Sequence, residues 1–381
     1  MPDSPSSTPP SPPGGPATAA PRLMSIDALR GFDMLCILGA DAFIHALHKL
    51  SDAGPVRALA GQMDHRPWAG FAFYDLIFPL FVFIVGVSLV FSLTRLIERE
   101  GRAAAVGRVI RRGLLLYVIG IFYYGGLGTP FEQIRLLGVL QRIALCYLFA
   151  GLAFCYLKPR GLAGLCAGLL IAYWAAMTFV PVPGFGAGDF AEGRNLANWF
   201  DSRFLPLRKW DGNHDPEGIL STLPAVGTCL LGVFAGLWLR RRDVDEQQKV
   251  VYLAAAGVAL AAAGWLWSLQ FPVIKKLWTS SYVLVAGGYS CLLVAAFHQV
   301  IEVWNRRSWA QPFVWIGMNP ITLYLLHALV DLEGLAKRFV GGDLGQLLFG
   351  RANALVIALV VVLITVGIAR WLYRRTQPSG Y

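Results

Sequence analysis

The segment MDHRPWAGFAFYDLIFPLFVFIVG, residues 63–86, sets His65 in a polar loop and Asp75 at the start of an apolar run. Imidazole titrates near neutrality, so it can take a proton from an ammonium or hydroxyl at working pH. A carboxylate beside an imidazole can pair with its charged form. Asp41 and His45 are four positions apart in an earlier apolar run and share a helix face. Asp41, His45, Asp75 and His65 can therefore converge at one depth. They fit equally well a set of polar groups satisfied separately at a membrane boundary.

Three other stretches carry polar chemistry. GVLQRIALCY puts Gln141 and Arg142 inside an apolar run. Arginine keeps its proton, so Arg142 needs an anion or a carbonyl cluster: a bridge to an acid, or a phosphate or carboxylate ligand suited to its planar fork. GMNPITLYLLH places Asn319 before a helix-kinking proline, with His327 eight residues on and on roughly the same face. Helix-packing hydrogen bonds explain that pair as well as ligand binding does. The loop 182–218, ending RKWDGNHDPEGIL, holds Trp199 and Trp210 among polar side chains. Such faces suit sugar stacking and equally a membrane-interface belt. Asp27 and Arg30, three apart, read as a structural ion pair.

These residues sit among stretches near 20 residues long with almost no charge, in a chain that is 56% hydrophobic. A stretch of that length spans a bilayer core of ~30 Å, and in lipid only helices and closed barrels satisfy their backbones. The runs are too long for barrel strands and do not alternate. The fold class is all-α, a polytopic membrane helical bundle. Ten spans are expected, near 26–48, 70–94, 109–127, 135–157, 161–181, 219–239, 250–270, 279–303, 310–331 and 352–373. Residues 332–351 are too polar to cross and read as a loop or short interfacial helix. Lys and Arg gather in alternate loops, at 95–112, 158–160, 240–249 and 306–307, and at the C-terminus. That side is expected to be cytoplasmic, with both termini inside and His65 outside.

Residues 1–21, rich in Pro, Ser and Ala, read as a disordered cytoplasmic tail without signal-peptide character, and 22–381 as one transmembrane domain. The net charge of +10 comes from arginines clustered between apolar runs, which excludes a nucleic-acid reading. Six cysteines, none in a C-x-x-C pair, give neither a disulfide framework nor a zinc motif, and no metal ligand is expected.

Six motifs occur in order: SIDALRGFDML (25–35), DLIFPLFVFIVGVS (75–88), GVLQRIALCY (138–147), DPEGILSTLPAVGTCLLGVFAG (215–236), LWTSSYVL (277–284) and GMNPITLYLLH (317–327). Together they resemble the heparan-α-glucosaminide N-acetyltransferase family, in its bacterial branch. The resemblance implies transfer of an acetyl group from cytosolic acetyl-CoA, across the membrane, to a glucosamine amine. It places the catalytic histidine at His65, within HRPWAGFAFYDLIFPLF, with Asp75 or Asp41 as its partner. Where the family has an asparagine, this chain has Asp41. Arg142, Gln141, Asn319 and His327 are then expected to hold acetyl-CoA, and His45, Trp68 and Trp210 the acceptor, an amino sugar or related glycan. Localisation in an inner membrane with the mouth facing the periplasm, and a homodimer, follow by analogy. The competing reading is a proton-coupled sugar transporter, since buried Asp, His and Arg also suit a proton relay, although no inverted repeat is visible. A structural or assembly subunit is a third.

Overall fold

The structure, a computed structural model, describes residues 23–376. The tail expected over 1–21 lies outside the described residues. Among these the chain forms helices and turns, with three isolated β-bridges and no strand. In chain order the helices are α1 (Met24–Leu50), α2 (Gly54–Gln62), α3 (Phe73–Tyr123), α4 (Val139–Tyr156) and α5 (Pro159–Phe179). Then come α6 (Leu196–Phe204), α7 (Thr222–Leu239), α8 (Glu246–Trp267), α9 (Ser280–Val303) and α10 (Gln311–Met318). Last are α11 (Pro320–Leu329), α12 (Leu332–Val340), α13 (Gly342–Phe349) and α14 (Asn353–Thr376).

Eight segments are long and apolar enough to cross a membrane, or nine if the pair α10–α11, bent by 67° at Asn319–Pro320, is one span. Every one of the ten expected spans coincides with helix. The difference lies between the second and third, which are one segment, α3, with no loop between them. The arginine-rich linker is also rich in Arg, Glu and Ala, good helix formers, so helix persists on both sides of Gly101. At Gly101, with φ 85°, the segment doubles back. A Cβ on Gly151 of α4 would meet both Leu89 and Val109. A straight helix would hold those two about 30 Å apart. The two ends of α3, Tyr74 and Tyr124, accordingly line one cavity.

Two more features position the site. The α3–α7 crossing is backbone on backbone: a Cβ on Gly86 would strike the Cys229 carbonyl, and one on Gly232 the Phe83 carbonyl. Such small-residue contacts are how helices approach closely in lipid. On the side of His65, an isolated bridge joins Ala69 to Ile274, with Gly70 N–H donating to Val273 O at 2.9 Å. The loop carrying His65 is thereby tied to the loop before α9. The polar stretch 332–351 folds into the two short helices α12 and α13.

Candidate active site

Asp75 lies in the first turn of α3 with its side chain 1% exposed. Its Oδ2 accepts from the backbone N–H of Ala72 at 3.0 Å and of Arg66 at 3.3 Å, so one carboxylate caps its helix and pins the preceding loop. Its Oδ1 stands 2.9 Å from Nδ1 of His65. A carboxylate with these partners only accepts, which puts the ring hydrogen on Nδ1 and leaves Nε2 as a base. The imidazole is 51% exposed. The pair therefore joins a dry, fixed carboxylate to an accessible ring.

The backbone under Asp75 is also held. Pro79 has no N–H to give the Asp75 carbonyl its intrahelical bond. The Tyr282 hydroxyl, buried in α9, donates to that carbonyl at 2.7 Å instead. Proline frees an acceptor, and a tyrosine some 200 residues away completes it.

Lys275 was not expected. Its Nζ lies 3.0 Å from Nδ1 and 3.1 Å from Nε2 of His65, and 3.7 Å from Oδ1 of Asp75. Near-equal distances to both nitrogens set the ammonium over the ring face, out of line with either lone pair. Burial lowers its pKa below the ordinary lysine value, partly offset by Asp75 and Glu217. The one sequence signal for it was a Lys–Lys pair in a loop on the side where basic residues are sparse.

His65 and Lys275 open onto a cavity of about 430 Å³. Trp210, Arg135 and Glu217 form its opposite wall, and Phe81, Ile143 and Ile321 lie deeper. Arg135 is buried between the rings of Tyr124, at 4.6 Å, and Trp210, at 4.9 Å. It binds both oxygens of Asp215, at 2.9 and 2.6 Å, and Glu217 Oε2 at 2.6 Å. Burial alone would lower its pKa; the two acids outweigh that and raise it. Burial likewise raises the Glu217 pKa, against the pull of Arg142 and Arg135. A second cavity, of about 500 Å³, lies toward the basic linker of α3 and is lined by Arg30, Arg95, Arg112 and Asn319. Phe81, Ile143 and Ile321 belong to both cavities, so three apolar side chains divide them.

Comparison with known proteins decides the family. Residues 22–271 match the family model described as "Heparan-alpha-glucosaminide N-acetyltransferase, catalytic". The chain belongs to that family. It is 27% identical to the heparan-alpha-glucosaminide N-acetyltransferase of Homo sapiens, over 82% of this chain and 53% of that protein. It is also 27% identical to the Mus musculus protein of the same name, over 70% of this chain and 49% of that one. The chain thus spans about half the length of the curated relatives it matches. His65, Asp75, Arg142, Trp210 and Glu217 fall inside the matched catalytic region, and Lys275 just beyond it.

Within this N-acetyltransferase fold the remaining expected residues take varied places. Asp41 meets His65 only through Tyr74, whose hydroxyl donates to Asp41 Oδ2 at 3.2 Å and whose ring centroid is 4.7 Å from the imidazole. His45 pairs with Asp64 at 3.3 Å. Trp68 donates from Nε1 to Phe190 O at 2.9 Å and packs against the apolar cluster of Leu196, Phe271 and Ile274. Trp210 is 57% exposed on the cavity wall. Arg142 and Gln141 are fully buried and line neither described cavity. Of the two partners expected for Arg142, its described bonds show a carbonyl and no anion: Nη2 donates to Gly218 O and Ser221 Oγ, and Cζ stacks 4.9 Å over Trp278. It thereby braces the DPEG turn that carries Glu217. Asn319, at the α10–α11 bend, faces the second cavity, and His327 lines neither.

Proposed function

We propose that this chain is a membrane acyltransferase that moves an acetyl group from cytosolic acetyl-CoA to an amino sugar or related glycan on the outer, periplasmic side of an inner membrane. One observation carries the reading. A buried carboxylate holds an exposed imidazole over a cavity that meets, across three apolar side chains, an arginine-lined cavity toward the opposite end. Arg112 and Arg95 suit the phosphates of the nucleotide, and the apolar passage between the cavities suits the pantetheine arm. Trp210 and Glu217 suit a sugar face and its ammonium.

In this mechanism His65 Nε2 takes one proton from the acceptor ammonium. The freed amine adds to the thioester carbonyl, the C–N bond forms and the C–S bond breaks. The surplus proton on nitrogen goes to the departing thiolate. Asp75 balances the imidazolium, and Lys275 offers positive charge to the carbonyl oxygen. The test is transfer of labelled acetyl from acetyl-CoA to glucosamine by purified protein, with His65→Ala as control. Absence of transfer by the wild type to any amino sugar defeats the reading. The paired cavities also fit an alternating-access transporter; sugar uptake into vesicles without acetyl-CoA would put that reading first.

A further inference from the structure

We propose that Glu192, Asp211 and His214, in the loop between α5 and α7, bind a divalent transition-metal cation, with Zn²⁺ the best match to the donor set. Glu192 Oε1 and Asp211 Oδ2 stand 3.6 and 3.7 Å from His214 Nε2, and all three donor atoms lie within 4.8 Å of one another. One imidazole nitrogen and two carboxylate oxygens are a mixed set that Zn²⁺ accepts. Zn–N and Zn–O bonds of about 2.0–2.2 Å in a tetrahedron put neighbouring donors roughly 3.4 Å apart. The two distances from His214 need a shift of a few tenths of an ångström, and the two carboxylate oxygens, within 4.8 Å of each other, close by up to about 1.4 Å through side-chain rotation once Lys276 leaves, with a fourth position open to water.

The independent sign of a ligand is His214 itself. It is 3% exposed, and its Nε2 is buried without a hydrogen-bond partner. Its Nδ1 stands 2.7 Å from the Asn213 side-chain oxygen. An amide oxygen only accepts, so the hydrogen is on Nδ1 and the Nε2 lone pair is aimed at two carboxylate oxygens. A lone pair facing two carboxylates takes a cation, a proton or a metal ion, so Zn²⁺ binding there should weaken as pH falls. Metal-bound histidines are oriented in the same way, by an acceptor on the other nitrogen.

A cation already stands nearby, which shows what the spot attracts. Lys276 Nζ is 2.9 Å from both Glu192 Oε1 and Asp211 Oδ2. Its ammonium donates to Glu192 Oε1 and lies in ion-pair range of Asp211, yet both Asp211 Oδ2 and Nε2 are left without a hydrogen bond. Two carboxylates against one ammonium also leave a net negative charge. A divalent ion would neutralise both carboxylates and satisfy the imidazole, releasing Lys276, whose side chain is 31% exposed, toward solvent. Asp211 and Lys276 line the mouth of the His65 cavity, so occupancy is coupled to that mouth.

The test is metal binding, which stands apart from acetyl transfer. Full-length protein in detergent is stripped with EDTA and titrated with Zn²⁺ by calorimetry, with Ca²⁺ as the oxygen-preferring comparator. One Zn²⁺ per chain is expected, and no Ca²⁺ at the same concentration. His214→Gln and the exposed-side Glu192→Gln should each weaken binding about 100-fold, and the outer partner change Asn213→Ala about tenfold. Lys276→Met removes the competing ammonium and should tighten binding. The proposal is overturned if the wild type shows no saturable binding, if Glu192→Gln and His214→Gln bind as it does, or if Lys276→Met binds more weakly.

Discussion

Two histidine–carboxylate pairs sit at different ends of this bundle and are built in opposite senses. In His65–Asp75 the acid is buried, 1% exposed, and the ring is open, 51% exposed. In His298–Glu246 the ring is buried, 0% exposed, and the acid is open, 48% exposed. His298 spends both nitrogens on protein: Nε2 at 2.7 Å from Glu246 and Nδ1 at 3.3 Å from Ser25 Oγ. His65 spends one on Asp75 and turns the other to a cavity. The same two functional groups, imidazole and carboxylate, thus make a brace in one place and a ring presented to a cavity in the other. What differs is which member the fold keeps dry.

Exchanging the roles should fail in predictable ways. His65→Ala should lower acetyl-transfer kcat by about 10²–10⁴-fold with little change in melting temperature, because the ring is the general base of the proposed mechanism and is half exposed. Asp75→Asn should cost about 10²-fold in kcat and also loosen the loop, since an amide cannot serve all the donors that meet this carboxylate. His298→Ala should do the reverse. Turnover should hold, while stability falls by about 1–3 kcal/mol, read as a lower melting temperature in detergent, because Ser25 and Glu246 lose a buried partner. Tyr282→Phe leaves the Asp75 carbonyl without a donor; a loss of about 1–2 kcal/mol is expected, with kcat falling less than for Asp75→Asn.

A pH effect follows from the outer loop. Burial pushes the Asp201 carboxyl up to about 6, despite the backbone N–H groups of Ile219 and Asp215 that favour its anion. In the window between the unfolded value near 4 and the folded value, the native state holds more protons than the unfolded one. Stability from this group is therefore greatest at acid pH and is lost as pH rises toward and through 6. Melting temperature against pH measures the slope, and Asp201→Asn should flatten it. A slope that survives the substitution would assign the effect elsewhere.

Much of the site was legible because ionisable residues in apolar sequence are costly. Asp75 stood out as an acid opening an apolar run, and His65, in a polar loop, through the family motif around it; the loop folds back onto the Asp75 carboxylate and brings the two together. Lys275 did not, because it lies 210 residues from His65 and only the bridge Ala69–Ile274 places it there. Arg142 shows the converse. A buried arginine demands partners, yet sequence could not say that two of them are Ser221 Oγ and a backbone carbonyl, which carries no side-chain signature. Glu192 is likewise 19 residues from Asp211, outside any ligand spacing a motif would carry.

The sequence by itself determined what its composition makes unavoidable. Apolar runs of bilayer length, too long for barrel strands, must become helices to satisfy their backbones in lipid, and each acid or histidine inside them needs a reason. Tertiary structure alone decided which of those groups meet and which of each pair stays dry. Burial, charge balance and the direction of a lone pair depend on neighbours from distant segments. The breaks near Gly101 and at Asn319–Pro320 were local in the sequence, but where the chain goes after each, and the backbone contacts of α3 with α7, depend on packing that local pattern does not encode.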